Sequence, residues 1–334
     1  MNKNNQNNKE KLIQLLSPLP IIDAIYVAAN LNIADYLLHG ALTIEQLAVL
    51  TETHEQSIYR LMRALASLGL FNQKDRVFEL TEFGKLLASD TEGSMKHAVL
   101  GHMLFYRRSL SELPYSVKTG NKGFERAFGM PLFEYFSQNP HMGKIFDDSM
   151  QTLADVETQP FINAFDFTSY ETIVDIGGGN GSLINAVLTN TPSSKGIVFD
   201  LPEVVSRTQE RLRSLKIHDR CGVCAGNFFD EVVPGDIYIL RRIIHDWNDE
   251  EAVKILSNCR NSLRPNGKIL IHELVISSDN EPQSAKWFDL TMLIVGGMER
   301  TEGEYRSLLS GAGLKLSRLI PTTGEMSIIE AEPL

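Results

Sequence analysis

The chain has 334 residues, enough for two domains, and its 43% hydrophobic and 22% charged content is that of an ordinary globular protein. A net charge of −10 argues against nucleic acid or an anionic membrane surface as partner, since phosphates call for clustered Lys and Arg. Three cysteines form no disulfide framework, which fits a cytoplasmic location.

Residues 1–10 are polar and Asn-rich, lack the apolar core of a signal peptide, and read as a disordered tail. No apolar run is expected to reach the roughly 20 residues that span a bilayer. Residues 12–40 carry apolar positions at helical spacing, which Pro18 and Pro20 break into a short helix and a longer one. Leu42–Leu50 follows, with Thr43 and Gln46 placed to form a capping box, and then Ser57–Gly69, with Gly69 placed to end its helix. Val77–Leu80 reads as a strand. Helix–turn–helix followed by a short hairpin is a winged-helix pattern, whose sharpest reading is DNA binding. Residues 41–90, however, hold seven acids against five bases, so packing or dimerisation is the expected use.

Residues 94–165 read as mostly helical and are dense in Met, Phe and Tyr, which suits a core and, in part, a pocket for a flat apolar ligand. From Thr172 the pattern alternates strand and helix. Thr172–Ile176, Gly196–Asp200, a strand through Cys221 and Cys224, Asp236–Leu240 and Lys268–His272 predict an α/β fold with a doubly wound, mainly parallel sheet. Its ligands belong at the carboxyl ends of the strands. The Cys221-x-x-Cys224 pair lies within a strand rather than opening a helix, which favours a structural role over redox or zinc chemistry.

Three motifs sit where such a sheet binds ligands. Asp175-Ile-Gly-Gly-Gly-Asn-Gly-Ser182 leaves the first strand, and its glycines let a ligand approach the backbone. The dinucleotide fingerprint would need glycine at 182, and the leading acid would repel a pyrophosphate while suiting a cationic cofactor. Asp200, 25 residues after Asp175, is placed to accept both hydroxyls of a ribose. Gly226-Asn-Phe-Phe229 ends the third strand, where Asn227 can meet an adenine amino group and Phe228 its ring; a plain turn is the alternative. In Leu240-Arg-Arg-Ile-Ile-His-Asp-Trp247, His245 stands at the carboxyl end of the next strand, and Asn248 with Glu251 predicts a capping box for the helix that follows.

In order and spacing these motifs, with Gly296-Gly-Met-Glu-Arg-Thr301, resemble the S-adenosylmethionine-dependent O-methyltransferases. The nearest group is that of plant caffeic-acid and isoflavone, animal hydroxyindole and bacterial polyketide-tailoring enzymes. The resemblance implies a Rossmann-like class I methyltransferase domain behind an N-terminal winged-helix dimerisation domain, and hence a homodimer. It also implies S-adenosylmethionine as cofactor, no metal and a small-molecule acceptor. The expected boundaries are a tail at 1–10, the dimerisation domain at 11–95, a helical pocket-forming part at 96–165 and the core at 166–334. By resemblance, Gly177 and Gly179 hold the methionine part of the cofactor, Asp200 the ribose, and Gly226, Asn227 and Phe228 the adenine. Arg241 and Arg242 lie near the cofactor, with one of the two facing it. His245 is the implied general base, flanked by Glu273 and Glu299, and Phe146, Met150 and Met292 line the acceptor pocket. Three rival readings stay open: Glu273 and Glu299 as ordinary surface acids, a two-carboxylate, one-histidine metal site with His245, and a purely structural His245. A winged-helix regulator and a nicotinamide oxidoreductase are the alternatives from other classes. The family usually carries Asp where this chain has Asn227.

Overall fold

A computed structural model describes residues 3–16 and 18–334 and divides them into two compact units. One comprises the described residues up to Ser109 together with Pro131–Leu153; the other comprises Leu110–Met130 and Ala154–Leu334. This partition cuts across the boundaries expected at 95/96 and 165/166. The helices Lys96–Gly101 and Leu132–Gln138 group with the N-terminal residues, where Phe105 meets Phe136 edge-on at 4.9 Å and Phe136 stacks on Phe146 at 4.5 Å.

The first unit begins with a helix over Lys3–Leu16, so the tail expected at 1–10 is helical from Lys3; residues 1 and 2 lie outside the described part. Extending a helix outward from the apolar positions 12–16 costs little per residue once a turn exists. The second helix, Pro18–Asn30, starts on its proline, where a missing N–H costs nothing. Contrary to expectation, the stretch Asn7–Asn30 is long and apolar enough, by length and composition, to cross a membrane. Among these residues the prolines sit at a helix start, so they do not interrupt the apolar run.

Further along, Thr43 caps Ile44–Leu50 in the expected box with Gln46, and Gly69, at φ 82°, follows the end of Glu55–Ser67. Strands β1 (Leu42–Thr43), β2 (Phe71–Lys74) and β3 (Val77–Leu80) form a sheet of order β1-β3-β2 beside this helix pair. Ile44, Leu47, Ile58, Met62, Leu65, Phe71 and Phe78 make its dry core. The buried Lys96 ammonium is matched by three acceptors, Asn32 Oδ1, Asp35 Oδ2 and Ser89 Oγ, at 2.6, 2.6 and 2.7 Å.

In the second unit β4 (Thr172–Ile176), β5 (Lys195–Asp200), β6 (Cys221–Ala225), β7 (Gly235–Arg241) and β8 (Leu263–Glu273) pair in parallel as the sequence predicts. A short pair, β9 (Val275–Ile276) and β10 (Arg300–Thr301), lies apart from the main sheet. The main sheet is completed by an antiparallel hairpin that the sequence reading missed, β11 (Leu314–Pro321) and β12 (Ser327–Pro333). Its order is β11-β12-β8-β7-β4-β5-β6. From β4 the chain runs outward to β5 and β6 and then returns to β7 on the other side. That reversal opens a crevice at the carboxyl ends of β4 and β7. Buried apolar clusters cover both faces, one around Tyr238, Leu240 and Ile271, the other around Ile184, Ile237 and Leu270. The three cysteines are free; Cys221 is buried on β6, and burial pushes its thiol up to about 12, which suits a core residue.

Candidate active site

The glycine loop leaves β4 at the crevice with left-handed backbone at Gly177 (φ 66°), Gly179 (φ 55°) and Gly181 (φ 76°). At Gly177 a Cβ would also stand 2.5 Å from Ile243 Cδ1, whereas at Gly179 it would meet open space. The first glycine is therefore favoured by its left-handed backbone, with the movable end of Ile243 against it, and the second leaves room for a ligand. Asp200, at the end of β5, ties this loop down: Oδ2 accepts from Gly179 N–H at 2.8 Å and Oδ1 from Leu201 N–H at 2.7 Å. Each oxygen keeps a lone pair for a hydroxyl.

Asp175 is 2% exposed, and its Oδ2 has no hydrogen-bond partner. Burial pushes its carboxyl up to about 7, against the opposing pull of Arg241 and with a further push from Asp200. An orphaned carboxylate oxygen beside an open glycine turn fits a cationic ligand. The two arginines have different partners, because β7 ends at Arg241 and Arg242 turns out of the strand with left-handed backbone. Arg241 Nη1 donates to Ala154 O at 3.2 Å and Thr158 Oγ1 at 2.8 Å, and burial lowers its pKa. Arg242, at φ 54°, lies 5.7 Å from the Phe288 ring, with its Nε buried and unpartnered.

Asn227 is exposed after β6, and its Oδ1 accepts from Phe229 N–H at 3.0 Å, closing the turn. Phe228 is half-buried against Trp247, edge-on at 5.9 Å. At Gly226 a Cβ would stand 2.4 Å from Phe199 Cζ, so glycine there permits close packing beneath the turn.

His245 sits in a 3₁₀ turn, Ile244–Asp246, directly after β7, and is 5% exposed. Its Nδ1 lies 2.7 Å from Glu299 Oε1, and its Nε2 lies 3.6 Å from Asp246 Oδ1. Burial, the largest single effect, pulls the imidazole down, but Asp246, Glu299 and Glu273 together outweigh it and hold it at about 9. Glu273 flanks the turn that carries His245. It does not touch the ring; its Oε1 accepts from the backbone N–H of Ile243 and of His245, each at 3.1 Å. The hydrogen bond on the ring's Nδ1 is with Glu299, and Asp246 lies on the Nε2 side.

Several residues that the sequence reading passed over build this turn. Tyr305 donates its hydroxyl to Glu273 Oε2. Arg300, fully buried, donates to Ile244 O at 3.2 Å, to Trp247 O at 2.8 Å and to Asp249 Oδ1 at 2.8 Å. Asp289 Oδ1 accepts from Glu299 N–H at 2.8 Å. Met298 N–H donates to His245 O at 2.8 Å, and a Cβ at Gly297 would stand 2.3 Å from that carbonyl oxygen. Arg300 adjoins Glu299 in sequence, which was the one available signal; Tyr305 reads only as an apolar helix position.

The expected acceptor-pocket residues divide between the units. Phe146 is half-buried in the aromatic cluster of the first unit, edge-on to Phe105 at 5.8 Å, and Met150 is half-buried on the same helix, Pro140–Ala164. Met292 is buried in the second unit, with its Cε near Gly297. Among the described residues no group of three or more His, Cys, Asp or Glu is placed to hold a metal ion. Glu273 and Glu299 are separately engaged by N–H, O–H and imidazole groups.

Known proteins resemble this chain along nearly all of its length. A profile of the O-methyltransferase domain matches residues 110–315, and one of the O-methyltransferase dimerisation domain matches residues 13–90. The phenazine O-methyltransferase PhzM of Lysobacter antibioticus is 36% identical over 97% of this chain and 96% of its own. The mitomycin biosynthesis 6-O-methyltransferase of Streptomyces lavendulae is 32% identical over 92% and 89%. Among solved structures, LaPhzM superposes with a TM-score of 0.91 at 36% identity, covering 98% of this chain and 99% of its own. CalO1, a methyltransferase of calicheamicin biosynthesis solved with S-adenosylhomocysteine, gives 0.90 at 30% identity with both chains fully covered. The open glycine turn, the orphaned Asp175 oxygen and the ribose-competent Asp200 fit the sulfonium form of that molecule. The chain thus belongs to the O-methyltransferase family, as an S-adenosylmethionine-dependent enzyme with a dimerisation domain at its N-terminal end.

Proposed function

We propose that the enzyme methylates a phenolic or enolic hydroxyl of a small aromatic or polyketide-like metabolite, with His245 as the general base. The observation that carries this reading is the 2.7 Å contact between His245 Nδ1 and Glu299 at the carboxyl end of β7. A carboxylate that accepts at Nδ1 fixes the tautomer, so in the neutral imidazole Nδ1 keeps the proton and Nε2 holds the lone pair that can take one from an acceptor. When bound, S-adenosylmethionine supplies a methyl group already activated by its sulfonium. What is left to the chain is alignment and removal of the acceptor's proton. Gly177 and Gly179 are assigned to the methionine portion, Asp200 to the ribose, and Gly226, Asn227 and Phe228 to the adenine, with Arg241 and Arg242 alongside.

The acidic surroundings of His245 change the energetics of that proton transfer. An ordinary imidazole near 6.5 lies about 3.5 units below a phenol, roughly 5 kcal/mol uphill. Held at about 9, the His245 imidazole lies only about one unit below, or about 1.4 kcal/mol. An aliphatic hydroxyl, taken near water at about 15.7, stays roughly 9 kcal/mol out of reach. The anions close both gaps equally, so the preference for an acidic hydroxyl stays at about 8 kcal/mol while transfer from a phenol comes within easy reach. Relatives lend support: the 3-amino-4-hydroxybenzoate 4-O-methyltransferase of Streptomyces cremeus, 31% identical over 96% of this chain, is named for the hydroxyl of an aminohydroxybenzoate.

The same reading takes the N-terminal unit as a winged helix used for homodimer formation. The dimerisation-domain match over residues 13–90 supports it, as does the exposure of Leu12, Ile13, Leu15 and Leu16 at 60–72%. A cytoplasmic location without nucleic-acid or membrane partners rests on the net charge of −10 and the three free cysteines.

The test is a methyl-transfer screen over phenols, hydroxyindoles, quinones and aliphatic alcohols, read by mass spectrometry, for the parent and His245→Ala. Loss of roughly 10²–10⁴-fold in rate with unchanged cofactor affinity is expected. A His245→Ala enzyme of near-normal rate, or a preference for aliphatic alcohols, overturns the assignment.

A further inference from the structure

We propose that Tyr305 is a positioning residue of the methyl-transfer reaction, its hydroxyl acting through Glu273 on the turn that carries His245. This rests on the reading of His245 as the base. Tyr305 is fully buried on the helix Glu302–Gly311, and its hydroxyl donates to Glu273 Oε2. With that oxygen occupied, Oε1 is turned to the N–H groups of Ile243 and His245, each at 3.1 Å. One carboxylate thus receives three donors, a pattern that favours its ionised form. The turn is held at its N–H side by this pair and at its carbonyl side by Arg300. Burial raises the Tyr305 pKa well above 10, so the hydroxyl remains a donor throughout the working range.

Removing the hydroxyl strands Glu273 Oε2 in a site with no access to water. Burial already raises the Glu273 pKa, and loss of a donor drives the carboxyl further toward its neutral form. His245 then loses one of its neighbouring anions. The charged groups that remain around it are Asp246 on its own turn, Arg242 just after β7, Glu299 just before β10, Arg300 on β10, and Asp289 on the helix Ser284–Val295. Among the described side chains Glu273, held by Tyr305, is the one that accepts from the N–H groups of Ile243 and His245.

The decisive measurement is the pH profile of kcat/KM and kcat for the parent, Tyr305→Phe, Glu273→Gln and the double variant, with melting temperatures. Tyr305→Phe is expected to move the midpoint of the rise downward by about one pH unit and to lower the plateau kcat by roughly tenfold or more. The cofactor KM should stay within about two-fold. Glu273→Gln, which keeps the shape and removes the charge, should give the same downward shift, and adding Tyr305→Phe to it should add little. An unmoved midpoint in Tyr305→Phe overturns the inference even if kcat falls, since that is what lost packing alone gives. Additive effects in the double variant overturn it too. Should Tyr305→Phe fail to fold, an unmoved midpoint in Glu273→Gln has the same force. An active His245→Ala enzyme would instead remove the base reading beneath it.

Discussion

At the scale of single residues, Asn227 is where this chain leaves its family's habit, and the geometry says what that costs. The side chain has one acceptor atom, Oδ1, which takes Phe229 N–H at 3.0 Å and keeps one uncharged lone pair for an adenine amino group. The other terminal atom is an amide nitrogen, which cannot accept from an adenine amino group. Aspartate would keep one oxygen in the turn and offer the other, with charge assistance. Asn227→Asp is therefore expected to tighten S-adenosylhomocysteine by about 1–2 kcal/mol in calorimetry; equal or weaker affinity refutes the role. Two titrations belong to the same scale. With Asp175 held near 7, a cationic cofactor binds its ionised form, so affinity should fall about tenfold per unit as pH drops below about 7. Calorimetry across pH 5–8 on the parent and Asp175→Asn separates this from other groups. For His245 the raised pKa means the imidazole is protonated, and unable to accept a proton, below about 9. Consequently kcat/KM should climb with pH and level off near 9 rather than near 6.5; a plateau already reached by pH 7 would falsify the raised value.

At the scale of elements, the turn Ile244–Asp246 depends on partners from four other segments. Several local pieces around it are written in the sequence. The Asn248–Glu251 box caps Asp249–Ser262 as the spacing predicts, because both partners lie within one helical turn. The glycine loop is equally local. Glu273 and Glu299, by contrast, reach His245 from 28 and 54 residues away, and nothing within a short window states which oxygen meets which group. Gly297 lies where the Glu299 loop passes closest to the turn. A methyl group there would stand 2.3 Å from His245 O and 2.6 Å from Met292 Cε, and the first of these atoms is backbone. Gly297→Ala should therefore push the two segments apart, destabilise the fold by about 1–3 kcal/mol and cut kcat more than cofactor affinity. Thermal melts alongside steady-state rates check this; an unaltered kcat would mean the loop can shift freely.

At the scale of the whole molecule, the parallel part of the sheet was legible because fully buried strands read as continuous apolar runs. The β11–β12 hairpin was not. Its edge strand, Leu314–Pro321, carries Lys315, Ser317 and Arg318 among its apolar residues, and β12 buries Glu330, whose carboxylate is met by Lys268 and Arg318. A buried acid inside a strand looks like a loop until its two cations are in place. The apolar N-terminal helices make the opposite case. Leu15, Leu19 and Ile22 are 67%, 61% and 43% exposed, more apolar surface than a solitary chain usually leaves open. Replacing Leu15, Leu19 and Ile22 together by Glu should convert a dimer into monomers in light scattering; an unchanged mass would show that the dimer does not use this surface, and vesicle flotation of the parent tests the membrane alternative.

The sequence by itself determined what is local: the cofactor-loop glycines, the helix caps, the parallel strand character, and a histidine at the end of a strand. Those features depend on steric and hydrogen-bond rules that act over a few residues. Only the tertiary structure decided that Glu299 rather than Glu273 holds the imidazole Nδ1, that Tyr305 and Arg300 brace its turn, and that Arg241 and Arg242 have different partners. The pairing of β7 with β8 sets Arg241 opposite His272, which brings Glu273 beside the turn amides instead of the ring. Burial then placed three acids around one histidine in a medium that screens them weakly, and from that follows a base stronger than imidazole in water.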